Sequence, residues 1–347
     1  MSGICGIYHR DGAPVEPAAV ELLQASASWR GPDGRCAWAR GSVALGHQLL
    51  ATTPDSVAGE QPLWWEAADL VIAMDGRIDN RAALASALGV TLDSSVADAR
   101  LVLHAYRRWG EDCCDHLLGD YAFAISDGDR GRLYLARDPL GVKPLYYHAG
   151  VRSFVFGSEP VQVLAHPGVP CSVDEGMVAE HLHGRPVSVE HSLYRGVHRL
   201  PPGCWLVVEA SACRRHRYWE LDPGRAAAGF RQPEQYLEHF LDLLRLAVAD
   251  RLRATLTPAV SLSGGLDSPV IAGVAQGLLD AAGRGERVHS HSIVLEQPGC
   301  VNETPCIDEV VRHWRLAASY HPLGSGESID WAAQARRRRY LPDYPTA

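Results

Sequence analysis

The residues from Val260 to Pro269, Val-Ser-Leu-Ser-Gly-Gly-Leu-Asp-Ser-Pro, have types and spacing suited to holding a polyphosphate. Apolar and small residues lead into Ser263, and two glycines open the backbone to conformations that a side chain forbids. Ser268 before Pro269 reads as an N-cap and first-turn pair, with Val270, Ile271, Val274 and Leu278 following at helical spacing. In such a strand, turn and helix the turn amides and the helix N-terminus share one concavity of partial positive charge, which suits pyrophosphate. The absence of Lys separates this loop from the Gly-Lys-Ser/Thr phosphate loop. The hydroxyls of Ser263 and Ser268 and the carboxylate of Asp267 are its polar side chains, and Asp267 is the candidate to hold Mg²⁺ through water. The plainer alternative is a strand-to-helix turn that happens to contain two glycines.

The elements that must position this loop follow the hydrophobic pattern. Pro233 opens a helix whose apolar residues Tyr236, Leu237, Phe240, Leu241, Leu244, Ala247 and Val248 recur at helical spacing. His289 to Leu295 and Ala317 to Pro322 read as buried strands, with a helix from Glu303 to Trp314 between them. Alternating strand and helix predicts a parallel doubly wound sheet with its ligand at the strand C-termini, where the loop stands. The other half reads differently. Short strands are expected at the start of the chain and at Val43–His47, Leu70–Met74, Tyr121–Ser126, Arg132–Ala136, Pro144–His148 and Phe154–Phe156. Helices are expected at Pro17–Ala27, Asn80–Leu88 and Ala97–Trp109, with a turn at Asp75-Gly76-Arg77, and together these predict an α+β sandwich. Pro, Gly and Ala thin out the pattern between Asp222 and Gln232, which marks a boundary.

Composition narrows the classes. A chain of 347 residues has room for two ordinary domains, and a net charge of −8 argues against general nucleic-acid binding. No basic start followed by an apolar run and no membrane-length apolar stretch is found, so a cytoplasmic protein is expected. The nine Cys form no Cys-x-x-Cys pair, and most are expected to be small buried hydrophobes in a reducing compartment. The sixteen His are scattered, and none is assigned to a metal. Lys occurs once, at Lys143, in a chain that otherwise uses Arg, which suggests a position where a flexible ammonium suits better than a planar fork.

Ser263 to Ser268 resembles the pyrophosphate loop of the ATP pyrophosphatase superfamily, whose members adenylate a substrate and release pyrophosphate. Ordered blocks elsewhere resemble the asparagine synthetase family: Cys5-Gly6-Ile7, Arg30 to Asp33, Gly46-His47, Gln61-Pro62, Asp75-Gly76, Gly119 to Ala124, Ala136 to Tyr147, Gly157 to Glu159 and Leu200 to Gly203. The resemblance implies an N-terminal-nucleophile sandwich of the class II glutamine amidotransferase type over residues 1–222. An incomplete doubly wound ATP-pyrophosphatase domain would follow over residues 223–347. It implies ATP and Mg²⁺ as cofactors. Leu262, Ser263, Gly264, Gly265, Leu266, Asp267, Ser268 and Ile293 fall at nucleotide-binding positions, although core packing explains Leu262 and Ile293 equally well. Glu303 matches an acidic helix start in the family, for which a carboxylate favoured by the helix dipole is the simpler account.

The chain also departs from the family. The family's nucleophilic Cys uses its own α-amino group as base, whereas Met1-Ser2-Gly3-Ile4 precede Cys5 and lock its nitrogen in a peptide bond unless they are removed. Leu49 stands where the family has an Arg for the glutamine carboxylate. Asp75-Gly76-Arg77 replaces Asn-Gly-Glu and puts a carboxylate where an amide should face an oxyanion. Asp98, matching the carboxylate that receives the substrate amino group, remains. An inactive glutaminase pocket is expected, and with it a ligase whose amine belongs to a small-molecule or peptide substrate, as in the lasso-peptide macrolactam cyclases. The alternatives are a glutamine-hydrolysing asparagine synthetase and a non-catalytic binding remnant. Only about three strand-helix units fit after the loop, where such a domain usually has about five or six strands. A complementing fragment or a homo-oligomer is therefore a possible partner, and neither nucleic acid nor membrane is expected.

Overall fold

The computed structural model describes residues 1–93, 96–184, 188–224, 229–294, 302–322 and 330–339. By their contacts they form two units, one built from Met1–Ala51 and Asp55–Leu221, the other from Thr52–Pro54 and Asp222–Ile329. The helix Trp331–Arg338 groups with the first unit, although the sequence pattern assigns residues 223–347 to one domain.

Strands buried on both faces build the first unit as two facing antiparallel sheets. One sheet runs, in spatial order, His198–Arg199, Tyr146–Ala149, Ser153–Gly157, Gly3–His9, Val43–Leu49 and Gly34–Arg40. The other runs Cys213–Arg217, Cys204–Val208, Arg132–Arg137, Gly119–Asp127, Leu70–Ile78 and Leu63–Trp65. Successive side chains of a strand point to opposite faces. Ile4, Leu45, Phe154 and Phe156 of the first sheet therefore meet Val71, Ala73, Ala122 and Leu135 of the second between the layers. Their neighbours Cys5, Ile7, Ala44 and Val155 turn outward and pack with Val20, Leu23, Val163 and Leu164, from the helices Pro17–Ser26 and Pro160–Ala165. Ile72, Met74 and Ile125 do the same on the outer face of the second sheet, against Leu101, Val102 and Tyr106 of the helix Asp98–Trp109. The result is the α+β sandwich of the N-terminal-nucleophile type.

Two local expectations need correction, and one strand was not foreseen. Asp75-Gly76-Arg77 is no turn: it continues the strand Leu70–Ile78, paired with Ala122, Tyr121 and Asp120. Gly76 is needed because a Cβ there would lie 2.5 Å from the Asp120 carbonyl oxygen, so the glycine permits close strand approach. Gly34–Arg40, exposed along most of its length, is an edge strand whose polar and small residues carry no strand pattern. The cysteines are also not mostly buried. Among the described residues Cys5, Cys113, Cys114 and Cys204 are buried while Cys36, Cys171, Cys213 and Cys306 are exposed, and Cys300 lies outside the described residues. Burial alone pushes the Cys5 thiol far above its ordinary value. Brief iodoacetamide treatment of the native chain is expected to modify Cys36, Cys171 and Cys306 while leaving Cys5 unmodified, read by peptide mass spectrometry, with Cys5 reacting only in denaturant.

In the second unit three parallel strands stand in the order Ala259–Ser261, His289–Val294 and Ala317–Pro322, with Leu295 outside the described residues. The helices Pro233–Arg251, Asp267–Ala281 and Thr304–Trp314 accompany them. Val248, Leu262, Ala272, Ala275, Leu279, Val288, Ile307 and Leu316 form its core. Of the helix Pro233–Arg251 only Val248 is buried, while Tyr236, Leu237, Phe240, Leu243 and Leu246 are exposed. Among the described residues no helix is long and apolar enough to cross a membrane.

Candidate active sites

In the first unit Asp75 is held between two cations. Its carboxylate, 1% exposed, lies 3.3 Å from Arg30 Nη1 and 3.1 Å from Lys143 Nζ. Arg30 also donates to Glu159 Oε1 at 2.8 Å and to the Ser2 carbonyl at 2.6 Å. Each cation is placed by local structure. The Asp138 carboxylate accepts the amides of Leu140, Val142 and Lys143 at 3.1, 2.9 and 3.0 Å, folding the loop from which Lys143 reaches Asp75. Glu159 and Gln162 form a capping box on the helix Pro160–Ala165, which fixes the anion that Arg30 meets. The single Lys of the chain thus partners the carboxylate that stands where the family resemblance implies an amide. The Met1 amino group lies beside the same charges, and burial, with Arg30 next, lowers its pKa.

The other predicted pocket residues do not join this cluster. Cys5 has the opposite parity to Ile4, so its thiol packs with Val20 and Leu23 under the outer helices, fully buried. Leu49 ends its strand half-buried, pairing with Gly34. Gln48 beside it is buried and spends its amide internally: it donates to the carbonyls of Gln24, Ala27 and Arg30 at 3.2, 3.0 and 3.2 Å and accepts from Gln162 at 3.0 Å. Asp98 opens its helix, accepts the Ile78 amide at 2.9 Å and is paired with Arg81, which also lies 3.5 Å from Asp55. Gly76 serves strand packing. His47 is 4% exposed, and burial pushes its imidazole down to about 4 despite nearby Asp75 and a hydrogen bond with the Met74 backbone. Sequence reasoning did not single out Ser2, whose hydroxyl accepts the Leu50 amide at 2.9 Å, or the buried cation of Arg30. The Arg-Gly-Pro-Asp block was the available signal for Arg30.

In the second unit the loop joins the C-terminal end of Ala259–Ser261 to the helix Asp267–Ala281. The helix starts at Asp267, so Ser268 lies inside its first turn and is no N-cap. Its hydroxyl instead accepts the Ser263 amide at 3.0 Å and lies 3.1 Å from the Ser263 hydroxyl, which accepts the Gly265 amide at 3.3 Å. Neither glycine adopts a positive φ. Gly264 is required by space, since a Cβ there would meet the Glu303 Cβ at 2.8 Å, while Gly265 has room. The Gly264 amide donates to Glu303 Oε2 at 2.8 Å. Leu262 belongs to the core, donating its amide to the His291 carbonyl, whereas Leu266 and Ile293 are exposed at 84% and 59%.

Magnesium suits the oxygens offered here. Asp267 in the loop and Glu303 against it are hard carboxylates, and among the described residues no three His, Cys, Asp or Glu side chains converge into a cage. Mg²⁺ characteristically takes one or two protein carboxylates and completes its shell with water and substrate phosphate.

Comparison with known proteins decides the family. Residues 1–219 match the glutamine amidotransferase domain model, and residues 239–335 match asparagine synthase. The chain belongs to the asparagine synthetase family. It is 31% identical over 304 residues to asparagine synthetase [glutamine-hydrolyzing] 3 of Bacillus subtilis, covering 86% of this chain and 48% of that protein. It is 28% identical over 337 residues to a putative asparagine synthetase [glutamine-hydrolyzing] 2 of Methanocaldococcus jannaschii, covering 91% and 63%. To amidase chry2 of Gibberella zeae it is 29% identical over 298 residues, covering 80% and 43%. This family member thus spans about half the length of the curated relatives it matches.

Proposed function

We propose that this chain serves an ATP-dependent, amide-forming ligation in which the attacking amine comes from the substrate, as in lasso-type closure of a peptide macrolactam. The observation that carries this is the Asp75 ion pair with Arg30 and Lys143 in the first unit. An oxyanion needs donors free to turn toward it. Here a carboxylate stands in that place, its two cations are spent on it, Leu49 offers nothing to a substrate carboxylate, and the Cys5 thiol faces the other side of its sheet. A pocket so arranged contributes structure and not ammonia.

In the second unit the loop suits the leaving group of an adenylation. A substrate carboxylate oxygen attacks the α-phosphorus of ATP and pyrophosphate departs; the amine then attacks the acyl carbon, AMP leaves, and an amide remains. The Gly264 and Gly265 amides, which donate to Glu303 Oε2 and the Ser263 hydroxyl, would turn with the Ser263 and Ser268 hydroxyls to the departing diphosphate. Bound Mg²⁺ would supply charge neutralisation of the phosphates, with Asp267 as its ligand.

Two assays on the same preparation test this reading. Glutamine is expected to yield no glutamate. ATP–pyrophosphate exchange is expected with a precursor peptide bearing Asp or Glu and not with free aspartate, and S268A is expected to lower it about tenfold by removing one donor. Glutamate release together with exchange on aspartate would install the glutamine-hydrolysing asparagine synthetase reading instead. Silence in both assays from folded protein would leave the binding remnant.

A further inference from the structure

The phosphate loop already carries an anion of its own. Glu303 Oε2 accepts the Gly264 amide at 2.8 Å, and this is no chance reach of a mobile side chain. A Cβ on Gly264 would lie 2.8 Å from the Glu303 Cβ and 3.3 Å from that of Cys306, so the loop and the start of the following helix are in close contact. The origin of that side chain is fixed as well. Asn302 Oδ1 accepts the Thr304 amide at 3.0 Å, and the amides of Cys306 and Ile307 donate to the Glu303 carbonyl at 3.0 and 3.1 Å.

We propose that Glu303 makes this loop selective for magnesium-bound diphosphate over free diphosphate, an inference that rests on the phosphate-loop assignment of the proposed function. A free diphosphate must displace the carboxylate from the Gly264 amide and then sit beside its negative charge. The loop, from Ser263 to Ser268, carries no cationic side chain to offset that repulsion. A metal-bound diphosphate brings its own cation, for which Asp267 and the displaced Glu303 are hard oxygen ligands. One carboxylate thus disfavours one form of the ligand and favours the other.

Calorimetric titration of inorganic pyrophosphate into the full chain, once in EDTA and once in Mg²⁺, tests this with wild type, E303Q and E303A. Wild type is expected to bind at least about tenfold more tightly in Mg²⁺ than in EDTA, the scale of one charge contact near a protein surface. Both variants should bind about tenfold more tightly than wild type in EDTA and lose most of the magnesium advantage. E303A covers the case in which Gln still holds the Gly264 amide, and circular dichroism of the three proteins controls for folding. Wild-type affinities in the variants under both conditions would overturn the role of Glu303 and leave the phosphate loop standing. No binding by any of the three proteins in either buffer would remove the phosphate-loop assignment, and this inference with it.

Discussion

Replacing Asp75 by Asn is expected to lower the stability of the first unit by about 3 kcal/mol, a fall of roughly 6–12 °C in Tm. Asp75 and Arg30 are 1% and 3% exposed, so the substitution removes one buried anion from between two cations while keeping the shape of the side chain. Arg30 retains Glu159 at 2.8 Å; Lys143 loses a partner at 3.1 Å. Breaking a buried pair costs more than the pair contributes, because the remaining charge is left desolvated. The D75N/K143M double variant is therefore expected to recover a large part of the loss, and urea unfolding of wild type, both single variants and the double variant measures the coupling. A D75N cost below about 1 kcal/mol would mean that this cluster behaves as a solvated surface pair. The cluster also bears on function: if D75N folds and still releases no glutamate from glutamine, the defect extends beyond the oxyanion position to Leu49 and the outward-facing Cys5.

The sequence carried the architecture further than it carried the polar contacts. The apolar runs at Gly3–His9 and Leu70–Ile78 follow from burial of both strand faces, and the helical spacing after Asp267 from burial of one helix face, which are written in residue type. Gly76 misled because a glycine that permits close strand approach and one that permits a turn are the same letter, and only the Asp120 carbonyl 2.5 Å away distinguishes them. Gly264 misled in the same way: it yields space to Glu303 and adopts no unusual φ. Lys143 stood out by its rarity, but its partner lies in a strand 68 positions earlier, and the Asp138 loop that aims it is a tertiary arrangement. The predicted pocket residues were separated by facts no spacing reports. Cys5 and Ile4 differ by one position and therefore by a whole face of the sheet, and Asp98 is consumed by the Ile78 amide and Arg81.

Between pH 7.5 and 4.5 the first unit is expected to lose about 2.5 kcal/mol of stability through His47 alone. His47 is 4% exposed, and burial holds its folded pKa at about 4 against an ordinary value of 6.5. The sign follows from proton counting. Above pH 6.5 both folded and unfolded chains keep this imidazole neutral, and its contribution is fully present. As the pH falls toward 4, the unfolded chain takes up a proton that the folded one refuses, and the equilibrium moves toward unfolding. Other imidazoles add to the acid loss, since burial also lowers His104, His166 and His198, so the diagnostic quantity is a difference between proteins. H47Q should be less stable than wild type at pH 7.5 through altered packing, yet its stability should fall less over the same pH range, by about 2.5 kcal/mol. Parallel curves for the two proteins would remove His47 from the account. Asp75 ties this result to the first one. Its carboxylate raises the His47 pKa, so D75N should push the folded value lower still and extend the acid loss below pH 4, whereas a His47 titration indifferent to D75N would place the two groups in separate electrostatic environments.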